Sequence, residues 1–122
     1  ILLSNIRPYL KKLWMADCYG GCSPDVLVLH NEKEDSVDSA FIYYSLRRQE
    51  FFDYIMSDIK GMKMPRGKKE TIEKYEITLP SVEIQKEVVK KLQKLDEQIK
   101  EANQQIANAS SAKQAILDKY LK

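Results

Sequence analysis

A chain of 122 residues in which 20 lysines and arginines face 18 acids, for a net charge of +2, is sized for one compact domain, and its near-balanced charge does not announce a nucleic-acid binder. Cys18 and Cys22 are the only cysteines and His30 the only histidine, which excludes a four-ligand zinc site and leaves no cofactor to expect; the two thiols are expected to be reduced and partly buried in an intracellular protein. No apolar run reaches the roughly 18 residues of a membrane span, and Ile1-Leu2-Leu3 is too short and lacks the cationic flank of a signal peptide.

Ile1 to Ile6 is a short apolar stretch stopped by Arg7-Pro8, because proline removes a backbone donor and biases its predecessor towards extended geometry. A strand and a turn follow from that. The chain starts without Met and already inside this strand, which points to a fragment of something longer. Leu10 to Ala16, with Leu13, Trp14 and Met15, and Val26 to Leu29 beyond the Gly20-Gly21 break read as two further strands of the same sheet. Asn31 to Asp38 holds four acids against Lys33 alone and reads as an exposed loop.

From Ser39 the apolar residues Phe41, Ile42, Leu46, Phe52, Ile55, Met56 and Ile59 fall at helical spacing, with Asp38 or Ser39 as cap. Tyr43-Tyr44 and Phe51-Phe52 lie on this segment and are expected in the core rather than as base-stacking platforms. Gly61 to Gly67 breaks the helical pattern. Lys68 to Lys74 allows one or two helical turns, Tyr75 to Leu79 alternates like a strand, and Ser81 after Pro80 is placed to cap a last helix, with Glu83 and Glu87 in its early turns where the macrodipole favours acids.

That last helix carries the clearest pattern in the chain. Val88, Leu92, Leu95, Ile99, Ala102, Ile106, Ala109, Lys113, Ile116 and Tyr120 alternate steps of four and three, an a/d heptad track that is apolar except at Lys113. Polar residues fill the positions between, so the stripe is narrower than the face of a globule-packed helix. At about 1.5 Å per residue, some 39 residues make a rod of roughly 58 Å, longer than an 80-residue domain can cover. A second helix, packed on this seam, is the expected partner.

The densest basic segment is Lys60-Gly61-Met62-Lys63-Met64-Pro65-Arg66-Gly67-Lys68-Lys69, with five positive charges and no acid. Lys63, Lys68 and Lys69 can act as point charges towards phosphate, and Arg66 can fork to a phosphate or to guanine O6/N7. Arg7, Lys11 and Lys12 form a second cluster. Composition alone leaves such a run open to being a solvated loop. Phosphate-loop, dinucleotide and nucleophile-elbow patterns are absent, and a lone histidine supports no triad, so catalysis by this chain is not expected.

The run Ile1-Leu2-Leu3-Ser4-Asn5-Ile6-Arg7-Pro8-Tyr9, then Gly20-Gly21-Cys22-Ser23, Val26 to Leu29, Gly61 to Gly67, and Ile77-Thr78-Leu79-Pro80-Ser81-Val82-Glu83-Ile84-Gln85 leading into the heptad helix resembles the specificity (S) subunits of type I restriction-modification systems. The resemblance implies an α+β fold: residues 1–79 as the C-terminal portion of a target recognition domain, and residues 80–122 as a helix for antiparallel coiled-coil pairing. It further implies double-stranded DNA as ligand, contacted through Arg7, Lys63, Arg66, Lys68 and Lys69, and a cytoplasmic complex with methyltransferase (M) and endonuclease (R) subunits. The helix would pair with a second S-type helix or a copy of itself and act as a ruler between half-sites. Two rivals stay open: a coiled-coil interaction module with an idle basic loop, and the tail of a fused restriction or methyltransferase enzyme.

Overall fold

A computed structural model describes residues 1–121. Strand β1 (Leu2–Ser4) lies between β2 (Leu13–Trp14) and β3 (Val26–Val28) in a three-stranded antiparallel sheet of order β2-β1-β3. Side chains alternate across a pleated strand, so the register decides which face each residue takes. Leu3 stands opposite both Leu13 and Leu27 and is buried, with those two partly buried against the core, whereas Leu2 stands opposite Trp14 and Val28, both of which are exposed on the other face.

The expected helical segment from Ser39 is present as two helices, α1 (Ser39–Leu46) and α2 (Gln49–Met56), parted by an extended Arg48. Asp38 caps α1 by accepting the Phe41 N–H at 2.9 Å. In one uninterrupted helix Leu46 and Phe51 would point about 140° apart around the axis, yet Leu46, Phe51, Phe52 and Ile55 are all buried. The break lets both helices turn their apolar residues inward.

Helix α3 (Lys69–Glu73) supplies Ile72, which completes a core of Leu3, Leu46, Phe51, Phe52, Ile55 and Ile72. Phe51 meets Phe52 and Tyr75 edge-on, with ring centroids 5.1 and 4.9 Å apart, the geometry that ring quadrupoles favour. Tyr43-Tyr44 and Phe51-Phe52 thus divide: the phenylalanines are core, and the tyrosines are half-buried with the Arg47 guanidinium over both rings.

Tyr75 to Leu79 forms no strand. Tyr75 and Ile77 pack against the core as the alternation implies, but the three-stranded sheet pairs β1 with β2 and β3 and does not include this segment, so the period reported burial and not pairing. Cys18 and Cys22 are both free and exposed, not partly buried; they sit in the irregular segment between β2 and β3, where residues 16–24 are all exposed.

Helix α4 (Val82–Tyr120) is a single helix of 39 residues. By internal contacts the chain divides into a first unit, Ile1–Val89, and a second that begins at Lys90. The opening turns of α4 belong to the first unit. There Gln85 is fully buried: its Oε1 accepts the Asp38 N–H at 2.8 Å, and its Nε2 donates to the carbonyls of Ser36 at 3.1 Å and Pro80 at 2.8 Å. One side chain therefore closes the loop that caps α1 onto the start of α4. No helix among the described residues is long and apolar enough to cross a membrane.

Candidate nucleic-acid interface

The basic loop is held at its C-terminal end by main-chain bonds to the segment that follows β1. The Arg7 N–H donates to the Pro65 carbonyl at 2.7 Å and the Gly67 N–H to the Asn5 carbonyl at 2.9 Å, which brackets a β-bridge between Ile6 and Arg66. Arg7 and Arg66, far apart in sequence, are thereby brought onto adjoining backbone. Pro65 and Gly67 are buried, while Lys60 to Met64 and Arg66 are exposed. The loop is anchored at one end and open along its length.

Gly67 is required by close approach. A Cβ at this position would lie 2.5 Å from Asn5 Oδ1 and 3.2 Å from Ile72 Cδ1. Asn5 is itself buried, and its Oδ1 is without a hydrogen-bond partner, an arrangement that costs about 1–3 kcal/mol. Arg7 and Lys11 add local strain. Both adopt the left-handed region, with φ of 50° and 51°, on either side of the 3-10 turn Pro8–Leu10, where a non-glycine residue costs of order 1–3 kcal/mol. Two basic residues are thus held in conformations that their neighbours must enforce.

The cations of the loop differ in what surrounds them. Arg66 Nη2 sits 2.5 Å from Asp25 Oδ1. Lys68 pairs with Asp58 at 3.4 Å, and Lys69 with Glu73 at 3.6 Å across one turn of α3. Lys63 and Arg7 are exposed and form no ion pair among the described residues. The Asp58 carboxyl is held below its ordinary range, first by the Thr71 hydroxyl that donates to it at 2.8 Å and then by Lys68. Lys11 is bonded to the Gln49 side-chain oxygen. The two exposed lysine pairs are worth little in stability, so each is open to exchange for another anion.

The helix seam is distinct in character. Val88 and Leu92 are half-buried, whereas Leu95, Ile99, Ala102, Ile106, Ala109 and Ile116 are exposed. Large apolar side chains spaced by a heptad and facing solvent are the mark of a helix made for a partner. Gln85 entered the sequence reading only as part of the resemblance, and its buried role as a hydrogen-bonded clasp was missed. Its signal was present: it shares a helical face with Val82 and Val89, so a polar side chain stands inside an apolar stripe. No group of three or more His, Cys, Asp or Glu among the described residues is placed to hold a metal.

Comparison with known proteins adds a consistent set of likenesses. The family described as type I restriction modification DNA specificity domain matches residues 18–109. The chain is 31% identical over 99 residues, 81% of its length, to the type I restriction enzyme MjaVIII specificity subunit of Methanocaldococcus jannaschii, of which that match covers 23%. It is 25% identical over 123 aligned positions, 98% of its length, to the type I restriction enzyme EcoDI specificity subunit of Escherichia coli, of which 27% is covered. The chain therefore spans about a quarter of the length of the curated relatives it matches. No solved structure matches it significantly.

Proposed function

The chain belongs to the type I restriction modification DNA specificity family, and from that premise we propose that it is a non-catalytic module in which residues 1–79 read one half of a bipartite duplex DNA site while α4 pairs antiparallel with a counterpart helix. The observation that carries this reading is the anchored basic loop, whose Arg66 is bridged to Ile6 and whose neighbour across the bridge is Arg7. Phosphate contacts from Arg7, Lys63, Lys68 and Lys69 position the domain and make affinity fall with salt, and base-edge contact from Arg66 supplies sequence preference.

The helix serves as spacer: its seam from Val88 to Ile116 takes a second S-type helix, or a copy of itself, and its length sets the gap between half-sites. In the assembled complex, methyltransferase and endonuclease subunits do the chemistry at the site this subunit selects. The setting is cytoplasmic, with double-stranded DNA as the ligand.

A pairing module with an idle loop remains the second reading, favoured by one observation. Three of the loop's cations, Arg66, Lys68 and Lys69, already face acids within the chain, which reduces the charge offered to phosphate. Salt dependence separates the two. In the intact subunit assembled with its methyltransferase partner, the joint Lys63→Ala and Arg66→Ala variant is expected to lower affinity and to reduce the slope of log affinity against log salt by about 1, the share of the Lys63 phosphate contact. An unchanged slope and affinity would leave the loop idle.

A further inference from the structure

Asp25 sits where a DNA-binding surface ought to avoid an acid. Its carboxylate lies against the Arg66 guanidinium, with Oδ1 2.5 Å from Nη2, and both side chains remain partly exposed. A carboxylate facing the duplex repels phosphate, so Asp25 subtracts from sequence-independent affinity. What it adds is direction.

Both ends of the pair are fixed on the same short piece of backbone. Asp25 immediately precedes β3, its carbonyl accepts the Asn5 N–H at 2.8 Å, and its own N–H donates to Ser23 Oγ at 3.2 Å. Arg66 is bridged to Ile6, the next residue. The carboxylate thus stands on a short side chain of anchored backbone, against which a long, otherwise free side chain is held.

We propose that Asp25 is a positioning residue for base recognition: it orients the Arg66 guanidinium so that the remaining N–H fork meets the O6/N7 edge of a guanine. The inference rests on the reading of the loop as a DNA interface. Neutralisation by Asp25 makes Arg66 a poor counter-ion for phosphate, yet leaves its other N–H groups as donors in a planar fork. A neutral, two-acceptor base edge is the ligand that such a group suits, because it rewards geometry and not net charge. The dispositions of Lys63 and Arg7, exposed and without a paired acid among the described residues, suit phosphate instead.

The test uses the intact subunit assembled with its methyltransferase partner, incubated with a randomised duplex library whose bound fraction is sequenced, alongside Asp25→Asn, Asp25→Glu and Arg66→Ala. Arg66→Ala is expected to lose preference for guanine at one position of the site. Asp25→Asn is expected to lower that same preference by about tenfold while leaving the other positions intact. Its binding to non-specific duplex should rise as an acid leaves the surface, a change that also reports a folded subunit. Asp25→Glu, which keeps the carboxylate, should recover part of the preference.

Preference lost in Arg66→Ala but unchanged in Asp25→Asn would overturn the positioning role and leave the interface standing. Weaker binding without altered preference in Arg66→Ala would make Arg66 a phosphate contact, and would also overturn it. Native affinity and preference in Arg66→Ala would remove Arg66 from the interface itself.

Discussion

Replacing Gln85 with leucine tests the account of how the opening turns of α4 are joined to the first unit. The substitution keeps similar volume but removes partners from the Asp38 N–H and from the Ser36 and Pro80 carbonyls. Ser36 is exposed and can turn to water, whereas Asp38 and Pro80 are half-buried. Two groups are then left short, each at about 1–3 kcal/mol, and relief from burying the amide itself offsets part of this, for a net loss of about 2–4 kcal/mol. For a unit of this size the midpoint of thermal unfolding should fall by roughly 10–20 °C. Urea and thermal unfolding of the chain, followed by near-ultraviolet circular dichroism, measure both quantities. Gln85→Glu separates hydrogen bonding from packing, since only the protonated acid retains an O–H donor for a carbonyl. Folding should raise the pKa of that glutamic acid, so the variant is closest to the native stability below about pH 4.3 and loses ground as pH rises through the folded-state value. A Gln85→Leu stability within about 0.5 kcal/mol of native, at the level of an ordinary surface change, would refute the reasoning.

Gly67→Ala should lower stability by about 1–3 kcal/mol, because its Cβ would meet Asn5 Oδ1 at 2.5 Å, and denaturant unfolding will show it. The Asp58 carboxyl should titrate below its usual 3.8 in an NMR titration and move back up in Thr71→Val, since the Thr71 hydroxyl is the first cause of its depression. Its stabilising contribution is present at neutral pH and disappears as pH falls through the folded-state value. Ile99→Asp, which puts a charge in the exposed seam, should abolish helix pairing in sedimentation experiments; self-association or capture of an S-type helix that survives it would exclude the seam as the pairing surface.

Periodicity made most of the first unit legible. The short apolar run stopped by Arg7-Pro8 located β1, though not which of its faces is buried, and the three- and four-residue steps located the helices. The break at Arg47-Arg48 was not legible, because both are good helix formers and only the joint burial of Leu46 and Phe51 demands it. Tyr75 to Leu79 shows the same limit from the other side, since side-chain alternation is local but a ladder needs a neighbouring strand. The basic loop was plain from composition, but Asp25 was not, as nothing in the sequence places it beside Arg66. The heptad track of α4 needed no tertiary information, for it is defined by spacing alone.

If the basic loop contacts DNA as proposed, the way it is attached also bears on how such a surface can change over generations. Pro65 and Gly67 are buried and bonded to residues 5–7, whereas Met62, Lys63 and Met64 are exposed and belong to no core cluster among the described residues. Substitutions at these three positions alter what the loop presents at almost no cost to folding, while the anchor keeps whatever is presented in register with the sheet. Selection for a new target can therefore act on the exposed residues without first repairing the fold beneath them.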